Sequence, residues 1–178
     1  PFHFMRRLWG EYMNFELSDE HKMIQQMAAD FADEKIAPLA EEIDKHDDFD
    51  IVRRILKQMG ELGWLGITIP EVYGGSEAGY FSHVLIAEQV GRASCGVGDS
   101  YVVQSNLVID NLNRNGNELQ KKKYLPSLCS GEKIGASGIT EPGAGSDAMS
   151  MQLRAIKGGD HYVLNGAKIF ITNGPMVD

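Results

Sequence analysis

The residues with the most evident chemistry form one short loop, Thr140-Glu-Pro-Gly-Ala-Gly-Ser-Asp147. Gly143 and Gly145 let the backbone bend tightly and approach a ligand closely. Thr140 and Ser146 add hydroxyls, and the turn amides of such a loop can form an anion-binding nest. The chemistry on offer is the holding of a pyrophosphate or of a heterocycle edge. Three readings compete. Gly143 to Ala148 fits the dinucleotide pattern G-x-G-x-x-G/A, which requires a strand before it and a helix after it. Strand-like alternation and an Asn-Gly pair follow instead, which argues against a doubly wound nucleotide fold. No Gly-Lys-Ser/Thr follows, so a P-loop is excluded. The third reading is an ordinary turn between two strands.

Other reactive residue types are sparse. The two cysteines, Cys95 and Cys129, form no CxxC and have no adjacent His or Asn in a nucleophile signature. They read as buried free thiols of a reducing compartment. The five histidines are scattered without metal-ligand spacing, so no structural or catalytic metal is expected. A net charge of −8 argues against a nucleic-acid surface. The dense basic run Lys121-Lys122-Lys123 reads as a solvated helix face, with a phosphate contact as the sharper alternative. No stretch approaches the roughly 18 apolar residues of a membrane-spanning helix.

Around that loop the elements change character along the chain. Ser18 is a helix cap with Asp19 and Glu20 in the first turn, and Ile24, Met27, Ala28 and Phe31 follow on one face. Pro38 should end or kink this helix. A second helix is expected from about Asp50 to Leu62 on Val52, Ile55, Leu56 and Met59. A third runs from about Gly79 to Arg92 on Phe81, Val84, Leu85 and Val90. A fourth spans about Gly98 to Asn113 on Val102, Val103, Leu107, Val108 and Leu112. Asn117 and Gln120 resemble a capping box for a fifth, which Pro126 interrupts or ends. From Ile134 onward the period becomes strand-like. Ile134–Thr140, Met151–Ile156, Tyr162–Leu164 and Lys168–Thr172 read as strands, with Gly158-Gly159-Asp160 turning the chain between the second and third and Asn165-Gly166 as a hairpin turn into the last. The fold class is therefore α+β multidomain. Residues 1–16 read as a tag or leader-like segment, with Met13 a plausible native start. Residues 17–132 read as an all-α domain, and 133–178 as the opening strands of an antiparallel β domain.

Two motifs together carry a more specific meaning. Ile134 to Asp147, followed by Tyr162-Val-Leu-Asn-Gly-Ala-Lys-Ile-Phe-Ile-Thr-Asn-Gly174, closely resembles the acyl-CoA dehydrogenase family. That family has an apolar strand, Thr/Ser-Glu-Pro-x-x-Gly-Ser-Asp, Val-Leu-Asn-Gly-x-Lys, and an aromatic-Ile-Thr-Asn-Gly strand. The resemblance extends from about Leu17 to Asp178, and it implies that residues 133–178 are the first strands of an antiparallel β-barrel domain. It includes Ile69-Pro-Glu-Val-Tyr-Gly-Gly75, Arg114-Asn-Gly-Asn117 and Lys123-Tyr-Leu-Pro126, and within the family it is nearest the isovaleryl-CoA dehydrogenases.

The resemblance implies FAD as cofactor and α,β-dehydrogenation of a short or branched acyl-CoA. The cofactor-binding residues it implies are Ser137, Gly138, Ile139, Thr140, Gly145, Ser146, Phe170, Ile171 and Thr172. Thr140 would bond near the isoalloxazine ring, while Ser146 would lie by the pyrophosphate and also touch the acyl-CoA. Phe170 would cover the ring, and Thr172 would approach N5. Phe170 stands where the family commonly has Trp, which keeps an apolar lid but drops the indole donor. The family's catalytic base is a Glu in a carboxyl-terminal helical domain, so no catalytic residue is expected in this chain. Glu141 is a local carboxylate that the family does not use as base. The resemblance further implies transfer of electrons to an electron-transfer flavoprotein, and a homotetramer or dimer. The compartment would be the bacterial cytoplasm or the mitochondrial matrix. An oxidase or flavin monooxygenase of the same fold is the alternative in the same class. A non-catalytic helical interaction module is the alternative in another.

Overall fold

The structure is a computed structural model that describes residues 15–178. Nearly all of the segment expected to be leader-like, and the start proposed at Met13, lie outside the described residues. Helix α1, Asp19–Phe31, starts where the cap places it: the Ser18 hydroxyl accepts the His21 amide at 3.2 Å. A π-helical turn, Ala32–Ile36, and a 3-10 turn, Ala37–Leu39, follow, and α2 spans Ala40–His46. Pro38 therefore bends the helical path without ending it, its missing amide being absorbed where helical spacing widens and then tightens. Helix α3, Phe49–Glu61, is capped by Asp48, whose carboxylate accepts the Ile51 amide at 3.0 Å. It buries Val52, Ile55, Leu56 and Met59, as their spacing requires.

Helix α4, Gly79–Ala93, packs against both α1 and α5, Cys95–Val102. Helix α5 continues through a π-helical stretch, Val103–Asp110, into α6, Asn111–Asn115. The run starts at Cys95 rather than Gly98, because Ser94 caps it by accepting the Val97 amide. Gly98 lies where α5 crosses α4: a Cβ there would stand 2.7 Å from the Gly91 Cα, so only hydrogen fits. Helix α7, Glu118–Cys129, opens with the expected reciprocal capping box of Asn117 and Gln120. Pro126 lies inside this helix and does not terminate it.

The core is one cluster that includes Leu56, Met59, Leu65, Ile69, Ile86, Val90, Tyr101, Ile109 and Leu125. Four residues assigned to apolar stripes face solvent instead: Met27, Phe81, Val84 and Leu107. On α4 the reason is polar. Ser82 is buried donating to the Ala78 carbonyl at 2.7 Å, and His83 is buried beside the Tyr101 hydroxyl at 3.1 Å. With partners for its polar groups, that face is rotated away from Phe81 and Val84. Burial lowers the His83 pKa, the Asp110 charge partly opposing it. Cys129 is buried and its thiol is pushed up to about 12, whereas Cys95 is exposed, against expectation. Lys122 and Lys123 face solvent, as read from the sequence, with the Lys123 ammonium 4.8 Å from the Tyr124 ring centroid.

Beyond α7 the chain forms two antiparallel strands, β1 (Arg154–Gly158) and β2 (His161–Asn165), paired from Arg154↔Asn165 to Gly158↔His161. The hairpin turns at Gly159-Asp160, as expected, with Gly159 at φ 69°, whereas no second hairpin forms at Asn165-Gly166. Ile134–Thr140 and Lys168–Thr172 are extended or turned segments outside any ladder. In the second, Phe170 has φ 55° and Asn173 φ 65°, left-handed conformations that interrupt a strand. Helical body plus two antiparallel strands is the architecture expected. The strands are fewer than the alternation suggested.

Candidate functional site

The loop 137–147 and the segment 168–173, separate in sequence, lie against each other. The Ile169 amide donates to the Thr140 carbonyl at 3.0 Å. A Cβ on Gly138 would stand 3.4 Å from Lys168 Cγ and 3.9 Å from Ile171 Cδ1. The join is made by Lys168, whose ammonium donates to the Ile139 carbonyl at 2.8 Å and to the Glu141 carboxylate at 2.9 Å. Side-chain exposure is 19% for Lys168 and 6% for Glu141, so this is a shielded pair.

Glu141 also accepts the amides of Gln152 at 2.6 Å and Leu153 at 3.0 Å. One carboxylate thereby ties the glycine loop to the entry of β1 and to the 168–173 segment. The Gln152 amide, then Lys168, then the Leu153 amide hold its pKa down, to about 2. A carboxylate so placed holds no useful proton affinity near neutrality and is a fastener, not a base.

Two buried polar side chains anchor these segments to the helical body. Gln104, in the π-helical stretch, donates to the carbonyls of Leu128 at 3.2 Å and Lys133 at 3.1 Å and accepts the Gly135 amide at 2.8 Å. Asn173 donates to the carbonyls of Ser100 at 3.2 Å and Gly135 at 3.3 Å. Its left-handed φ is one that Asn tolerates. The Thr172 hydroxyl donates to the Asp99 carboxylate of α5 at 2.8 Å. Asp178 accepts the Ile134 amide at 2.9 Å and pairs with Arg53 of α3. Gln104, Asn173, Lys168 and Asp99 were not singled out from the sequence, since each acts on a partner far along the chain.

The residues expected at a cofactor fall into two groups. Gly138, Ile139 and Thr140, which follow Ser137, are brought beside Lys168, Ile169 and Ile171, while Thr172 is bonded to Asp99. Gly145, Ser146 and Phe170 project outward and make no such junction. Each of the three has a property that packing within the chain does not explain. A Cβ on Gly145, or on Gly143, would meet nothing within 4 Å, so the chain itself does not require glycine there. The hydroxyls of Ser137, Thr140 and Ser146 make no hydrogen bond among the described residues. Phe170 is 88% exposed while held at φ 55°. A bulky aromatic in the left-handed region is strained, and such strain clusters at ligand sites. Bare backbone, free hydroxyls and an unburied ring on adjoining segments fit a ligand with a phosphate part and a flat apolar part.

Comparison with known sequences bears on what that ligand is. The profile of the acyl-CoA dehydrogenase N-terminal domain matches residues 18–132, and that of the acyl-CoA dehydrogenase middle domain matches residues 136–178. The chain belongs to the acyl-CoA dehydrogenase family. Among its relatives is the mitochondrial isovaleryl-CoA dehydrogenase of Pongo abelii, 55% identical over 162 residues, or 91% of this chain and 38% of that protein. The short-chain-specific acyl-CoA dehydrogenase of Clostridium acetobutylicum is 40% identical over 93% of this chain and 43% of its own length. The chain thus spans about two-fifths of these relatives. Among solved structures, an acyl-CoA dehydrogenase from Bacillus anthracis complexed with FAD superposes with a TM-score of 0.88 at 41% identity. That match covers 94% of this chain and 29% of the other. For this family, then, the fold of both segments is the shared one, and Glu141 and Lys168 fall within the matched middle domain. Among the described residues no group of three or more His, Cys, Asp or Glu could hold a metal ion, and no helix is long and apolar enough to cross a membrane.

Proposed function

We propose that this chain supplies the flavin-facing loop and ring-covering segment of an FAD-dependent dehydrogenase that oxidises a short or branched acyl-CoA. The observation that carries the reading is the junction of the 137–147 loop with the 168–173 segment. On these two segments Gly145, Ser146 and Phe170 stay exposed, with open space where a Gly145 Cβ would stand. The family relationship and the isovaleryl- and short-chain-specific relatives support the substrate class.

When bound, FAD supplies the redox chemistry by accepting the β hydrogen of the thioester as hydride. This chain binds and orients. Gly143 and Gly145 would admit backbone close to the pyrophosphate, Ser146 would offer it a hydroxyl, and Phe170 would lay an apolar face over the ring and keep water from it. Thr140 and Thr172 would offer hydroxyl groups to the ring's polar edge. Removal of the α proton needs a base whose proton affinity is useful near neutrality. Glu141, held near 2 by its bonds to Gln152, Lys168 and Leu153, does not provide one. On this reading the base belongs to a part of the protein outside these residues. Electrons pass on to an electron-transfer flavoprotein, the assembly is a homodimer or homotetramer, and the compartment is the bacterial cytoplasm or mitochondrial matrix.

Gly145→Val tests the reading, because the structure leaves room for the side chain and φ there is not left-handed. The variant is expected to melt like the parent yet to retain at least tenfold less FAD after desalting, about the effect of removing one good contact. Ser146→Ala should lose less. A Gly145→Val protein that binds FAD with parental affinity would sink the assignment.

A further inference from the structure

We infer that Asp99 is a positioning residue that fixes which way the Thr172 hydroxyl points its proton, and so tunes the cofactor's preference between its oxidised and reduced forms. The inference rests on the flavin reading above. It adds a residue from the helical body to a site otherwise built from loop and segment.

Thr172 has one hydroxyl proton, and it is committed: Oγ1 donates to Asp99 Oδ2 at 2.8 Å. A hydroxyl carries a single donor and two acceptor lone pairs. With its proton held by a carboxylate, it can only accept from anything on its other side. The hold is firm, because hydrogen bonds to an ionised acceptor are roughly twice as strong as neutral ones. Geometry around the pair is also fixed. Asn173, the next residue, is buried and bonded to Ser100 O, and Ser100 is the residue after Asp99. Two neighbouring bonds therefore clamp residues 172–173 onto residues 99–100 of α5 and keep the Thr172 hydroxyl within reach of Asp99.

A flavin changes its hydrogen-bonding character on two-electron reduction: N5 is an acceptor when oxidised and carries a proton when reduced. A hydroxyl that can only accept matches the reduced form and mismatches the oxidised one. Freed from Asp99, the same hydroxyl could donate to oxidised N5. Asp99 thus favours the reduced cofactor through Thr172, while its bare negative charge acts in the opposite sense. The two effects separate by experiment, since only the first needs the hydroxyl.

The test uses the flavin-loaded protein that contains this chain, with its two-electron midpoint potential read by dye equilibration in each variant. Asp99→Ala is compared in three backgrounds: parental, Thr172→Ser, which keeps the hydroxyl, and Thr172→Val, which does not. The inference expects Asp99→Ala to shift the potential differently where a hydroxyl is present. The hydroxyl-dependent part should correspond to about a tenfold loss of preference for the reduced cofactor, the worth of one hydrogen bond. Equal shifts with and without the hydroxyl would show Asp99 acting as a plain charge and overturn it. If Thr172→Val does not hold flavin, Asp99→Asn, which removes the charge but keeps an acceptor for the hydroxyl, is compared with Asp99→Ala, and equal shifts in those two variants overturn the inference. A colourless parental protein would instead overturn the flavin reading itself, a distinguishable failure.

Discussion

The helical body and the stretch after Ile134 are held together by different physics. Between Ala28 and Ile134 the chain buries aliphatic and aromatic side chains in one cluster, with Leu56, Met59, Ile86, Val90 and Tyr101 fully shielded. After Ile134 little is buried: Gly135, Glu141, Ala144, Asn173 and Met176 are, while every residue of β2 is exposed. Order there comes from directed bonds made by Glu141, Lys168, Gln104 and Asn173. A packed body tolerates rough complementarity and resists local change, whereas a bonded scaffold is precise and fails at single atoms. A site that must hold a ligand to within fractions of an ångström is served by the second kind, mounted on the first.

The largest effect expected from this contrast is in the body. Leu56→Ala empties a fully buried position in α3 and should cost about 3 kcal/mol, as large-to-small core changes do. Denaturant unfolding followed by helical circular dichroism reads it. A loss under about 1 kcal/mol would mean that the body is loosely packed and the contrast misdrawn.

An intermediate effect belongs to the Glu141 junction and depends on pH. The carboxylate has an ordinary value of 4.5 and is held at about 2 in the fold. A lowered folded value means that the ionised form is favoured by folding. The stabilisation is therefore fully present above 4.5 and is lost as pH falls from there toward 2. The amide resonances of Gln152 and Leu153, which donate to this carboxylate, should titrate with a midpoint near 2. In Lys168→Met the midpoint should rise, since one of the causes holding it down is gone. Titration at the ordinary value in the parent would show that the junction does not form, and the loop and segment would then be independent.

What could be read from the sequence divides along the same line. Caps and the 3.6-residue period are local signals, so Ser18, the Asn117–Gln120 box and the Val52–Met59 stripe placed their helices correctly. The glycine loop was legible from its composition. The fasteners were not, because their partners are remote: Lys168 to Glu141, Gln104 to Gly135, Asn173 to Gly135 and Thr172 to Asp99. Period-two patterning also misled. Lys168–Thr172 alternates well enough for a strand, but Lys168 spends its side chain on Ile139 and Glu141, and Phe170 turns left-handed. Alternation reports which side chains could share a face, not whether a neighbouring strand is there to pair.

The smallest effect, and the most informative about the second region, is expected in the hairpin. Val163 in β2 pairs across from Ile156 in β1, and both are more than half exposed. A two-stranded ribbon with neither face covered gains little from either side chain, and exposed hairpins of this kind are marginal alone. Val163→Thr keeps the branched shape and strand preference while removing a methyl, so the change in stability of this chain should stay within about 0.5 kcal/mol. On the dehydrogenase reading, in which this chain is part of a longer protein, the same substitution made there asks a further question. If the loss there rises well above that value, something elsewhere in the protein buries this face, and the apolar cross-strand pair of Ile156 and Val163 has its physical cause. If it stays as small, the ribbon is solvated in both settings, and the helical body with its bonded loop is the whole of what the site needs for support.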